Sequence, residues 1–188
     1  MTPKINQQLE QVAKALMETV DGVLQGSGKI NYTQDPEIIS KDIIEYKSRM
    51  RVFGMEKFNG QCYVAYVNFY KSPAEQAAKN ASGALVIFAE GDNAGKLLKT
   101  LGYRVSGDEE PEEVMQQLSE LCKSIAQKLM AKISSLGYSG LIMSEPAAAE
   151  NDVAAGVDFN YDEYQLYEIS FYVWKQKIFV ANVSLAPA

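Results

Sequence analysis

Glu113, Gln116, Glu120, Lys123 and Gln127 follow one another at alternating steps of three and four residues. On a helix that spacing stacks side chains along one face. The result is a ladder of carboxylate, amide, carboxylate, amine and amide. A carboxylate only accepts hydrogen bonds, an ammonium only donates, and an amide does both. A ladder of this kind can be held toward a polar partner. Glu-x-x-Lys on an exposed helix is also an ordinary solvated ion pair worth a few tenths of a kcal/mol. The spacing alone therefore names a surface and leaves its chemistry open.

The opposite positions explain how the ladder would be held. Val114, Leu118, Leu121, Cys122, Ile125, Leu129, Ile133 and Leu136 recur at helical spacing and form an apolar stripe. The segment from Pro111 to Gly137 reads as one long two-faced helix. Pro111 suits its first turn and Gly137 the position just past its end. Glu109, Glu110, Glu112 and Glu113 gather where the helix dipole favours negative charge.

Composition removes several classes of chemistry. The chain has 188 residues, 47% of them hydrophobic, enough to build a core within one domain spanning residues 1–188. It contains no histidine, which excludes histidine triads, histidine-ligated metals and histidine bases. The net charge of -6 argues against a nucleic-acid footprint. Cys62 and Cys122 have no CxxC spacing and are expected buried and reduced, as in a cytoplasmic protein. The first residues carry no apolar targeting segment, and no run is long enough to span a bilayer.

The rest of the chain supplies the frame. Residues 4–24 predict an amphipathic helix with Ile5, Leu9, Val12, Leu16, Val20 and Val23 as its stripe. Residues 29–42 give a mixed signal punctuated by Pro36. Strand-like runs cover residues 49–58, 61–70 and 84–89, with Asn59-Gly60 reading as a tight turn between the first two. A short helix is expected over residues 91–102, a short strand over 139–144 and a loop over 145–163. A hairpin closes the chain, with Tyr167, Ile169, Phe171 and Val173 pointing one way, Phe179, Ala181, Val183 and Leu185 doing the same on the return strand, and Lys175 and Gln176 at its turn. This order predicts an α+β domain of about six largely antiparallel strands.

Two motif-like stretches fail on inspection. Gly91 to Lys96 has one residue too few between its glycines for a phosphate loop, and Leu97 stands where a hydroxyl should bind magnesium. Asp158, Asn160 and Asp162 resemble the start of a calcium loop, but Glu163 and Ile169 occupy the positions of the glycine and the bidentate acid.

Three stretches together resemble the CheC/CheX/FliY superfamily of chemotaxis phosphatases, and the CheX type in particular. They are QLEQVAKALMETVDGVL, SGALVIFAEGDNAGKLLKTLGY and SELCKSIAQKLMAKISSLGY, in the family's order. The resemblance covers most of the chain. It implies a CheX-like fold with a long N-terminal helix, a long central site helix and a CheY-like receiver domain as partner. Family members hydrolyse the receiver's phosphoaspartate, with magnesium supplied by the receiver and no cofactor of their own. It implies that Glu120 matches the glutamate that engages the receiver's lysine, and that Lys123 stands where the family carries a water-orienting asparagine. Gln116 matches a position often Asp or Ser. Glu113 and Gln127 extend the contact.

Lys123 is a departure with consequences. A lysine can neutralise phosphate, but it cannot accept from water as an amide does. An active site would need Gln116 or Gln127 in that role. The other reading is a non-catalytic adaptor or dimeric interaction module of the same fold. A second motif copy on the first helix is missing, because Glu10 and Glu18 are followed three residues later by Ala13 and Asp21. The resemblance also implies a homodimer paired across strands. The closing hairpin, with Tyr172, Trp174, Ile178 and Val180 on its alternate face, is the expected edge unless residues 34–44 or 145–163 cover it.

Overall fold

The computed structural model describes residues 6–188. Lys4 and Ile5, expected in the first helix, lie outside the described residues. In chain order the elements are α1 (Gln7–Asp21), β1 (Tyr32–Asp42), β2 (Glu45–Tyr46), β3 (Arg49–Phe53), α2 (Met55–Phe58), β4 (Cys62–Tyr70), α3 (Pro73–Ala77) and β5 (Gly83–Glu90). Then come α4 (Ala94–Thr100), α5 (Pro111–Ile133), β6 (Ile142–Met143), β7 (Ala147–Glu150), β8 (Asp152–Val157), β9 (Gln165–Val173) and β10 (Gln176–Leu185). A π-helical turn over Gly22–Ser27 extends α1, and a 3-10 turn over Ser134–Leu136 ends α5.

Each long helix starts where local chemistry dictates. The Asn6 side chain accepts from the Leu9 backbone N–H at 3.0 Å and caps α1. Pro111 occupies the first turn of α5. Gly137 follows the terminal 3-10 turn in the left-handed region with φ 100°.

The main sheet runs β1-β9-β10-β5-β4-β6, with β7 also paired to β4, and every pairing is antiparallel. Buried residues from α1 and α5, including Leu9, Val12, Leu16, Leu118, Ile125 and Leu129, pack with Val67, Leu85, Ile87, Phe171 and Val183 of this sheet. A second sheet, β2-β3-β8, packs Met50, Val52 and Val157 against Cys62, Val64, Val86, Phe88 and Val180 on the other face. The α+β class and the two long helices are those expected from the sequence.

Among the described residues ten strands form where about six were expected. The mixed segment is β1, an edge strand whose pairing with β9 shifts register twice around Pro36. Proline has no N–H to donate, so it is confined to edges and bulges, and the period-2 pattern blurs there. The expected loop over residues 145–163 contains β7 and β8. Their Ala-rich sequences have low strand propensity, and pairing with β4 and β3 overrides it.

The run over residues 49–58 is strand only to Phe53. Gly54 then passes so close to Cys62 Sγ and Asn151 O that a Cβ would sit 2.3 Å and 2.4 Å from them. Helix α2 follows, and Asn59 ends it in the left-handed region at φ 54°. Asn59-Gly60 is therefore a helix cap rather than a hairpin turn, and β3 and β4 lie in different sheets. Asparagine serves both purposes because it tolerates the left-handed conformation.

The closing hairpin is not an edge. β1 pairs along β9 from Tyr32 to Asp42, so the residues 34–44 alternative is the one observed. The hairpin turn itself is Trp174-Lys175, with φ 53° and 64°, and Gln176 already pairs with Val173.

Candidate functional site on the polar face of α5

α5 is fixed from below. Val114, Leu118, Leu121, Cys122, Ile125, Ala126, Leu129 and Ile133 are all buried. The five ladder residues span about 80° of arc and about 21 Å of axis at 100° and 1.5 Å per residue, and they face away from that stripe. Gln116, Glu120 and Gln127 are exposed, and Lys123 is half-buried. The structure thus brings the predicted residues onto one rigid face.

Their engagements differ. The Glu113 carboxylate accepts from the Ser106 backbone N–H at 3.0 Å and from the Ser106 hydroxyl at 2.6 Å. These two hydrogen bonds, the hydroxyl's first, hold the carboxyl below its ordinary range, with the Lys99 charge adding to them. Glu113 therefore ties the acidic loop over residues 107–110, through Ser106 at its start, to the first turn of α5. Lys123 Nζ lies 3.9 Å from Glu145 Oε2, with Lys123 36% and Glu145 91% exposed. Glu120, Gln116 and Gln127 make no side-chain hydrogen bond among the described residues.

Two neighbours of the ladder come from outside α5. Tyr103 sits beside Glu120 and Ser124, and burial first, then the Glu120 charge, raise its hydroxyl pKa, while a hydrogen bond with Ser124 opposes them. Tyr103 is placed by the end of α4. Gly102 takes φ 91°, and the Tyr103 N–H donates to Leu98 O at 2.9 Å, folding the chain back. Glu145 arrives from the connection between β6 and β7. Sequence reasoning missed both. The Leu-Gly-Tyr turn after α4 was the available signal for Tyr103.

The chemistry this face supports is that of a docking surface with an open carboxylate. Glu120 can receive a cation. The amide of Gln116 lies one turn away, about 6 Å along the axis, whereas Gln127 lies about 10 Å away. Gln116 is thus the amide placed to share a ligand with Glu120. No cluster of three potential metal ligands occurs among the described residues.

No protein-family model and no curated protein matches the sequence. Solved chemotaxis proteins superpose on this chain over most of its length. A chain of the CheX-CheY-BeF3-Mg2+ complex from Borrelia burgdorferi superposes with a TM-score of 0.60 at 13% identity, covering 93% of this chain and 97% of that one. CheX from Desulfovibrio desulfuricans superposes at 0.57 with 12% identity over 93% of this chain and 99% of that one. FliY from Thermotoga maritima does so at 0.57 with 15% identity over 99% and 92%. The fold is that of the CheC/CheX/FliY superfamily, and it is CheX-like.

Proposed function

We propose that this chain binds a CheY-like receiver domain through the polar face of α5. The observation that carries the reading is the exposed Glu120-Gln116 pair, with no side-chain partner among the described residues, on a helix whose other face is buried. A homologous fold crystallised with CheY supports the choice of partner. Glu120 would pair with a lysine of the receiver. The magnesium ion would belong to the receiver, and the complex would form in the cytoplasm.

If the site is active, water attacks the phosphorus of the receiver's phosphoaspartate and the aspartate carboxylate leaves, releasing phosphate. Gln116 would orient that water, with Gln127 and Glu113 flanking the contact. Lys123 favours the second reading, a binding module without hydrolysis, because it puts an ammonium where water must be both donated to and accepted from. Phosphoaspartate lifetime in a bound receiver separates the two.

A homodimer is proposed through β1 rather than through the hairpin. From Glu37 to Asp42 its pairing with β9 is regular, leaving its outer edge free among the described residues. Two antiparallel copies centred on Ile39 would set the half-exposed Ile39 against itself and Glu37 against the partner copy's lysine, an opposite-charge pair. Light scattering should then exceed the 20.8 kDa monomer at micromolar concentration and return to it in Ile39→Lys. A concentration-independent 20.8 kDa species would reject the dimer.

A further inference from the structure

The face opposite α5 carries a second feature that receiver binding does not use. Among the described residues, the exposed large hydrophobic side chains other than Ile39 sit on or against the small sheet. Ile44, Tyr46, Phe53 and Met55 belong to β2, β3 and their flanks. The Tyr161 hydroxyl donates to Ser48 O at 3.0 Å, and Tyr164 O accepts from the Ile43 N–H at 2.7 Å. Apolar surface concentrated this way marks an interaction site more often than chance exposure does.

A groove of about 440 Å³ runs through this patch. It is lined by Tyr46, Lys47, Arg51 and Phe53 from β2, β3 and their connection and by Ala154 to Gly156 of β8. The groove has a structural cause. Between the Met50-Val157 and Val52-Val153 pairs, β8 spends two more residues than β3 and bulges. Gly156 makes the bulge possible: it takes φ 74°, and a Cβ there would sit 2.8 Å from Met50 O and 2.9 Å from Arg49 Cβ, too close for any other residue.

The charge of the groove is opposite to that of the chain. The Arg51 guanidinium is pinned over Phe53 at 4.2 Å and lies 5.6 Å from the Tyr46 ring centroid. Neither Arg51 nor Lys47 makes an ion pair among the described residues, and Asp152 is the one carboxylate in the wall. The chain as a whole carries -6. We propose that this groove docks an acidic, aliphatic segment of a second protein, with a carboxylate on Arg51 and apolar side chains against Tyr46 and Phe53. Arginine and tyrosine are the residue types that carry binding energy in such patches, and arginine takes carboxylates in bidentate fashion. A second copy of this chain fits less well. Two-fold symmetry would press the cationic patch against itself. The chain's own acidic loop is tied to α5 through Glu113. Because the groove and α5 lie on opposite faces of the main sheet, both can be occupied at once.

The test is fluorescence anisotropy with a labelled nine-residue peptide alternating glutamate and leucine, beside its lysine-leucine counterpart. The full chain should bind the acidic peptide saturably and leave the basic one free. Affinity should fall at least about 10-fold in Arg51→Glu and in Lys47→Glu, with melting temperatures near wild type, and should fall again between about 50 and about 500 mM salt. Amide shift changes should centre on Tyr46, Arg51 and Phe53. No saturable binding, undiminished binding by both variants, or shift changes on α5 instead would overturn the proposal. Self-association that Arg51→Glu abolishes would also overturn it, by making a second copy the occupant.

Discussion

Replacing Lys123 by asparagine changes one charge on the outer face of α5 and little else. The only ion contact of Lys123 among the described residues is Glu145 at 3.9 Å, and Glu145 is almost fully solvated. Such pairs contribute at most about 0.5 kcal/mol, so the melting temperature should hold. The functional effect should be larger. A receiver lysine seated on Glu120 would come within about 6 Å of the Lys123 ammonium, the spacing of i and i+3 neighbours on a helix surface. Two like charges at that distance repel by about 0.7 kcal/mol in water and about 3 kcal/mol at a partly dehydrated interface. Removing the repulsion should tighten binding by a factor between about 3 and about 100. Placing a water-orienting amide there adds a catalytic gain on the order of 10². The assay is single-turnover loss of phosphoaspartate from a phosphorylated CheY-like receiver at saturating protein. Lys123→Asn should be faster than wild type by about two orders of magnitude. A fast wild type that Lys123→Asn slows would instead make the lysine part of the hydrolytic machinery.

Two further predictions concern stability and reactivity. Glu168, 4% exposed at its side chain, is bonded by buried Lys57 and lies 3.0 Å from Lys41; burial pushes its carboxyl up, but Lys57 and then Lys41 outweigh it and leave the pKa below the ordinary 4.5. Its ionised form therefore stabilises the fold above that pH, and the contribution fades as pH falls through the lowered value. Lys57→Met should cost about 3 kcal/mol at neutral pH and less near pH 4, where Glu168 can protonate; calorimetry showing equal loss at both would contradict this. Burial pushes the Cys62 thiol up to about 11 and the Cys122 thiol higher still. Neither should react with a disulfide reagent in the native state near pH 8, and both should react in denaturant; rapid native labelling would show the core to be open.

How legible the fold was depended on whether local signals and tertiary packing agreed. α5 was readable because an unbroken apolar stripe, a proline start and a glycine stop all point the same way. β5 and the closing hairpin were readable because they are buried on the sheet and rich in strand formers. β1 was not, since its Pro36 bulges and exposed edge erase the alternation. β7 and β8 were not, since alanine and glycine form strands there only by pairing with β4 and β3. At the site, the ladder could be placed on one face from spacing alone. Tyr103 and Glu145 could not, because each reaches α5 from a separate connection whose position the sheet decides.

We propose that α5 presents Glu120 to a receiver domain. It is tested most directly by titrating CheY-like receiver domains, with and without beryllofluoride and magnesium, into the isotopically labelled chain and into Glu120→Lys. Glu120 is exposed and makes no internal hydrogen bond among the described residues, so the variant should fold with a change of under about 0.5 kcal/mol. Shift changes along Gln116, Glu120, Lys123 and Gln127 are expected for the activated cognate receiver, with binding weakened at least about 10-fold in the variant. Equal affinity of the two proteins for that receiver, or shift changes confined to another face, would contradict it.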